Sequence, residues 1–321
     1  MIKVGVVGGT GYAGAELIRL LLMHPRVELA EVVSHSKSGT RLDVLHPGLQ
    51  GCTDLVAQDF QPERLATLDA VFVAVPHGKA APLCDALDAA GAKVILDLSR
   101  DHRHAEGWVY GLAEWNTNQL PGAKRIAVPG CFATAISMAA APFVATGEVV
   151  DAPRIVAATG STGLGATPAK SGHHPERFTN LKAYKVLSHQ HGPEINTFLS
   201  GLNAVDPIRF VPLSAPIDRG ILATVMLPMK SAWTLEQAQQ TLADKYESHP
   251  LVRVRENSPE IRHVRATAFC DVATFVDGND VVVITAIDNL GKGASTQAVQ
   301  CLNHCFDWPV QTGLINPPTL P

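Results

Sequence analysis

Charge is scarce in this sequence: Asp, Glu, Lys and Arg together make up 17% of 321 residues, against about 25% in an ordinary soluble protein. The net charge is −4, and neither a basic run nor a basic amphipathic helix occurs, which argues against a nucleic-acid or membrane-surface partner. So little charge also points to surface hidden between subunits. Long apolar runs are lacking as well. The most apolar stretch, residues 132–146, carries Thr134, Ser137 and Pro142 and is too short to cross a bilayer. Cysteine is thinly spread: Cys52, Cys84, Cys131, Cys270, Cys301 and Cys305 do not form the dense pattern of a disulfide scaffold. Cys301 and Cys305 lack a second ligand pair, so no metal site is expected. No secretory signal precedes the first strand, and a reducing cytoplasm is the expected setting. No repeat, low-complexity segment or linker is visible.

What is present has a clear order. The length leaves room for two domains with their own cores. Residues 3–7 are an apolar strand, Gly8-Gly9-Thr10-Gly11-Tyr12-Ala13-Gly14 follows at once, and 15–23 has helical composition. A glycine pattern between a first strand and a first helix is the signature of a dinucleotide site. Gly8 and Gly11 let the backbone turn and approach a pyrophosphate, Gly14 allows close packing, and the helix N-terminus faces the anion. A second strand, 27–33, ends at Ser34-His35-Ser36-Lys37, with Arg41 just beyond. An Asp or Glu there would hold the ribose of NAD. Hydroxyls and cations at Ser34, Ser36, Lys37 and Arg41 suit a 2′-phosphate and favour NADP, although the two cations also fit a solvated loop. Strand and helix alternate onward, with a helix near 61–67, a strand 70–75, a helix 79–90 and a strand 93–99. This is the pattern of a Rossmann-type, doubly wound parallel α/β sheet. Pro76-His77-Gly78 caps the third strand, where a nicotinamide would pass. Arg103 lies in a charged loop after the fourth, suited either to an anion or to plain solvation.

The stretch Val128-Pro129-Gly130-Cys131-Phe132 reads as strand, turn and then a helix over 132–141. Cys131 therefore falls at a helix start, where unpaired N–H groups favour a thiolate. A small buried hydrophobe is the alternative. From Pro153 the texture changes to strands grouped around few helices, an α+β domain on a mostly antiparallel sheet. The glycine-rich stretch 160–165 reads as a flexible loop shaping a pocket, with Ser161 and Gly163 on its substrate side. His189 and His191 point the same way if extended. They fit two metal ligands, an acid/base histidine with a substrate-binding neighbour, or a surface loop; a metal would need a third protein ligand, and none is identifiable. A cysteine with histidine elsewhere in the chain is a pattern of covalent catalysis.

These motifs, with Ala183-Tyr184-Lys185-Val186, His189-Gln190-His191-Gly192-Pro193-Glu194-Ile195 and Asp288-Asn289-Leu290-Gly291-Lys292-Gly293-Ala294, give a resemblance over nearly the whole chain. The chain resembles the N-acetyl-γ-glutamyl-phosphate reductases of arginine biosynthesis, in the wider aspartate-semialdehyde dehydrogenase superfamily. The resemblance implies an NADP(H)-dependent enzyme reducing an acyl phosphate through a cysteine thioester. It implies Cys131 as nucleophile, His191 as acid/base, His189 beside the substrate, Arg103 on its phosphate and Asn289 near the cofactor. It also implies a cytoplasmic homodimer or homotetramer. Domains are expected at 1–130 with 293–321, for the dinucleotide, and 131–292, for catalysis and oligomerisation. The stretch 161–168 departs by lacking a basic residue; His173-His174-Pro175 and Thr296 are also unusual. These departures bear on substrate preference. An aminoadipyl or aspartyl acyl-phosphate reductase, or an NADP(H) sensor without chemistry, are the alternatives.

Overall fold

The computed structural model describes residues 1–318. It divides into two compact units, Met1–Gly130 with Ala294–Asn316, and Cys131–Gly293.

In the first unit six short strands form one sheet: β1 (Ile2–Val7), β2 (Val27–Val33), β3 (Ala70–Val73), β4 (Ile95–Asp97), β5 (Val109–Tyr110) and β6 (Arg125–Ala127). Their order is β2-β1-β3-β4-β6-β5 and every pairing is parallel. Val4, Val6, Val71, Phe72, Val73 and Ile95 are all buried, as expected for strands covered on both faces. The chain leaves β1 for β2 on one side and returns for β3 on the other. Ligands of such sheets bind at the carboxyl ends beside that reversal. The first helix, Tyr12–Met23, starts earlier than its apolar residues suggest, because Gly11 takes the cap position with extended backbone. It buries Leu17, Ile18, Leu20 and Leu21. The helix expected near 61–67 is one turn, Pro62–Leu65. The last helix, Thr296–Cys305, lies on this unit, where Ser295 Oγ donates to Ala13 O at 2.9 Å and Gln297 Nε2 to Gly111 O at 2.9 Å.

The second unit carries seven strands: β7 (Arg154–Thr159), β8 (Lys182–Ala183), β9 (Arg209–Ser214), β10 (Ile221–Pro228), β11 (Val252–Val254), β12 (Cys270–Asp277) and β13 (Asp280–Ile287). In the order β11-β12-β13-β10-β7-β9-β8, only β11/β12 and β7/β9 are parallel. The sheet is mostly antiparallel, as the sequence suggests. Its core helix, Cys131–Val144, is buried at every residue except Cys131. A helix apolar on all sides belongs inside a core. It runs beyond the expected 132–141, straight through Pro142. A proline inside a helix forfeits the bond to the carbonyl four residues back, at a cost of about 3 kcal/mol. That carbonyl belongs to Met138, and the buried Tyr246 hydroxyl donates to it at 2.6 Å. A side chain from the Leu235–Tyr246 helix thus replaces the missing backbone donor. No helix among the described residues is long and apolar enough to cross a membrane.

Candidate active site

The glycine turn of the first unit is built by exclusion of side chains. Gly8 has φ +94°, and a Cβ there would lie 2.5 Å from Ala74 O. A Cβ on Gly14 would meet Gly8 O at 2.2 Å, and one on Gly9 would meet Val32 Cγ1 at 2.3 Å. Gly11 is different: nothing approaches nearer than 3.8 Å. It opens the first helix, which has no side-chain cap and no acid in its first turn. Thr10, Tyr12 and Ala13 border that opening. Uncapped N–H groups over a side-chain-free turn fit a pyrophosphate. His46 Nε2 braces the turn by donating to Gly9 O at 2.7 Å, a contact 37 residues away in sequence that no local pattern reveals. At the end of β2, Ser34 is buried while Ser36 and Lys37 are exposed. Arg41 is exposed on the loop beyond. Its guanidinium is held by Asp43, at 2.7 and 2.9 Å, and by Asp54 at 3.0 Å, so it reaches a 2′-phosphate only by leaving them.

Beyond β3, Pro76 and His77 are exposed, and His77 Nδ1 accepts from Arg100 N at 3.2 Å. The Asp101 carboxylate accepts from the backbone N–H groups of Gly78 and Ala80 at 2.7 and 3.0 Å, tying the two loops together. Arg103 is no solvated loop charge. It is 8% exposed, and its Nε donates to Val128 O at 2.9 Å, its Nη2 to Leu98 O at 3.3 Å. The loop carrying it is fixed by Asp97, which accepts from Ser99 N, Ser99 Oγ and His102 Nδ1 at 2.7, 2.9 and 2.7 Å. His102 in turn stacks on Trp108 at 3.9 Å. Cys84 lies within 4.8 Å of Asp97 and His102, but burial drives its thiol well above the ordinary range. Asp97 and His102 form a hydrogen-bonded support for the Arg103 loop.

In the second unit, Cys131 is the partly exposed first residue of a 14-residue helix. The helix field favours negative charge on its sulfur. On one side stands the turn after β13. A Cβ on Gly293 would come within 2.7 Å of Cys131 Cβ, so only glycine lets that turn close on the cysteine. Asp288 shapes the turn. Its carboxylate accepts from Leu290 N (2.9 Å), Gly291 N (2.7 Å) and Ala266 N (2.7 Å), and pairs with Arg219 through two bonds of 2.8 and 2.9 Å. Sequence reading gave Asp288 only as part of a motif and did not pair it with Arg219, 69 positions away.

The imidazoles pack against the residue after Cys131, Phe132. His189 and His191 are 7% and 6% exposed. The condition for their pointing the same way, an extended segment, is not met. His191 precedes the Gly192–Ser200 helix in helical backbone conformation, and its N–H donates to His189 Nδ1 at 3.2 Å. The turn sets the two rings 4.9 Å apart at 77°. Phe132, beside Cys131, meets His189 edge-on at 5.2 Å, His191 at 6.2 Å and Phe210 of β9 at 5.1 Å. Burial, with help from Lys185, pushes His189 down to about 4, leaving it neutral at physiological pH. The Tyr184 ring lies 5.7 Å from His189. Burial raises its hydroxyl, the Cys131 sulfur raises it further, and Arg177 opposes both.

The expected flexible loop at 160–165 is a 3₁₀ turn, Ser161–Leu164. Ser161 N donates to Ile217 O at 2.9 Å, and Thr162 N to Asp218 O at 3.0 Å. A Cβ on Gly160 would strike Asp218 O at 2.5 Å, so the two backbones pass too closely for a side chain. Ser161 is partly exposed and Gly163 exposed. Asn289 is 2% exposed, its Oδ1 accepts from Gly220 N at 2.7 Å, and its Nδ2 donates to Thr162 Oγ1 at 3.0 Å. It joins two turns of the second unit.

Both units match known families. Residues 3–123 match the semialdehyde dehydrogenase NAD binding domain, and residues 131–289 the semialdehyde dehydrogenase dimerisation domain. The chain is 37% identical over 332 residues to the N-acetyl-gamma-glutamyl-phosphate reductase of Methanocella arvoryzae, covering 98% of each chain. It is 38% identical to that of Brevibacillus brevis over the full length of both. The chain belongs to the N-acetyl-γ-glutamyl-phosphate reductase family. The family fold extends to distant relatives. Aspartate semialdehyde dehydrogenase II of Vibrio cholerae superposes with a TM-score of 0.76 at 14% identity, over 95% of this chain and 98% of the other. The Candida albicans aspartate semialdehyde dehydrogenase, solved with NADP, gives 0.70 at 16%, over 95% and 99%.

Proposed function

We propose that this chain reduces N-acetyl-γ-glutamyl phosphate with NADPH, yielding N-acetylglutamate semialdehyde and phosphate. The observation that carries this reading is the surround of Cys131, a partly exposed residue at a helix start, with the Gly293 turn against its Cβ and two buried imidazoles against the adjacent Phe132. In that reading the Cys131 thiolate adds to the γ-carbonyl carbon. The carbon–oxygen bond to phosphate breaks, and a thioester to Sγ remains. Donors at the helix start, including Cys131 N–H, face the developing oxyanion, a contribution of about 3 kcal/mol per donor. Bound NADPH supplies the hydride that reduces the thioester carbon. His191 protonates the oxyanion that follows and takes the proton back as the C–S bond breaks, releasing the semialdehyde and restoring the thiolate. Arg103 holds the phosphate, and neutral His189 donates a hydrogen bond to the substrate.

The first unit binds the dinucleotide through Gly8, Gly11 and the open helix start, with Ser34, Ser36 and Lys37 toward a 2′-phosphate. The second unit carries the chemistry and self-association into a homodimer or homotetramer. Six free thiols suit a reducing cytoplasm. Following NADPH absorbance with N-acetyl-γ-glutamyl, aspartyl and aminoadipyl phosphates tests the reading. Turnover highest with the first is expected; turnover with none would leave a nucleotide-binding protein without this chemistry.

A further inference from the structure

Between residues 163 and 181 every side chain is exposed except one, Arg177, at 8%. The short turn His174–Arg177 drops this guanidinium onto the end of β9. There Nη1 donates to Ser214 Oγ and Nη2 to Ala215 O, both at 2.6 Å. No carboxylate among the described residues pairs with it. A buried cation with neutral partners alone is costly unless an anion completes it. Two of its five N–H donors are used. Ser214 is the register partner of Thr159 on β7, and the Thr159 hydroxyl is buried with no hydrogen-bond partner. A charged fork and an orphan hydroxyl therefore stand on adjacent strand ends. Phe210, on the same face of β9, packs on His189 at 5.4 Å. Tyr184, whose N–H donates to Pro212 O of β9 at 3.1 Å and whose ring lies 5.7 Å from His189, joins the strand that carries Ser214 to the imidazoles. A phosphate on the attacked carbon must lie beside the sulfur; a more distant anion of the same substrate need not.

We infer that Arg177, with Ser214 and Thr159, forms the subsite for the substrate's α-carboxylate. This deepens the proposed function and rests on it. It also gives a place to the positive charge missing from 161–168.

The test runs in the oxidative direction with N-acetylglutamate semialdehyde, phosphate and NADP⁺, and with 4-acetamidobutanal as the aldehyde lacking the carboxylate. Arg177→Gln should raise KM for the semialdehyde about ten- to a hundredfold, leaving KM for phosphate and Kd for NADP⁺ within about twofold. Wild-type preference for the semialdehyde over 4-acetamidobutanal should collapse by the same factor, and Arg177→Lys should restore part of it. Should Arg177→Gln not fold, Thr159→Val reads the same subsite through a severalfold rise in the same KM. A rise in KM for phosphate instead, or retained carboxylate preference in a folded variant, overturns the assignment. Wild-type enzyme inactive on the semialdehyde would instead sink the reaction itself.

Discussion

The two units build their sites from different material. In the first, the dinucleotide turn is almost pure backbone: Gly8 and Gly14 are defined by the side chains they exclude, and the helix start offers bare N–H groups. In the second, the site is almost pure side chain. Cys131, Phe132, Tyr184, His189, His191, Phe210 and Arg177 come from a helix, two loops, a short turn and a strand. Backbone can hold a phosphate whose charge does not change during reaction. Only side chains supply a nucleophile, a proton shuttle and a choice of substrate. Binding and chemistry should therefore separate under mutation.

The largest separation is expected from Cys131→Ser. Loss of the nucleophile should lower kcat at least about 10⁴-fold with Kd for NADPH unchanged; substantial residual turnover would remove the covalent step. His191→Asn should come next, costing about 10²–10⁴ in kcat and erasing the ionisation that His191 contributes to the pH–rate profile. An unaltered profile would assign the proton transfer elsewhere.

Two glycine substitutions sharpen the contrast from opposite sides. Gly293→Ala places a methyl 2.7 Å from Cys131 Cβ and shifts the nucleophile. A displacement near 1 Å costs about 10² in rate, so kcat should fall by that factor with cofactor affinity kept. Gly14→Ala forces a methyl to within 2.2 Å of Gly8 O. Overpacking of this kind costs about 1–3 kcal/mol, and Kd for NADPH should rise about ten- to a hundredfold while kcat at saturation holds. If both variants moved both parameters, the division of labour between backbone and side chain would be wrong.

The same contrast explains what could be read without coordinates. The glycine turn was legible because strand, turn and helix are contiguous, and so was the Cys131 helix start. For Arg41 the sequence shows the charge and not the carboxylates of Asp43 and Asp54 that hold it. The motif of Asn289 marks a turn, and only the fold shows both ends of its amide hydrogen-bonded inside that turn's own unit. The Asp288–Arg219 pair and the Arg177–Ser214 contact span 69 and 37 residues, beyond any local periodicity. The helix through Pro142 needed Tyr246, over a hundred residues later. Contacts made across the sheet carry no signature along the chain.

The gentlest probe concerns His189, whose burial beside Lys185 holds it down to about 4, against about 6.5 in an unfolded chain. The folded state therefore resists a proton that the unfolded state accepts between these values. Stability should be full above pH 6.5 and decline as pH falls toward 4, by about 2 kcal/mol at pH 5 from this group alone. Thermal melts of wild type and His189→Asn between pH 5 and 7.5 isolate the contribution. The variant starts lower, having lost the ring's contacts with Phe132, Tyr184 and Phe210, but its Tm should fall less steeply with acid. Parallel slopes would mean that His189 already carries its proton in the folded protein, and would replace the neutral hydrogen-bond donor assigned to it by a cation.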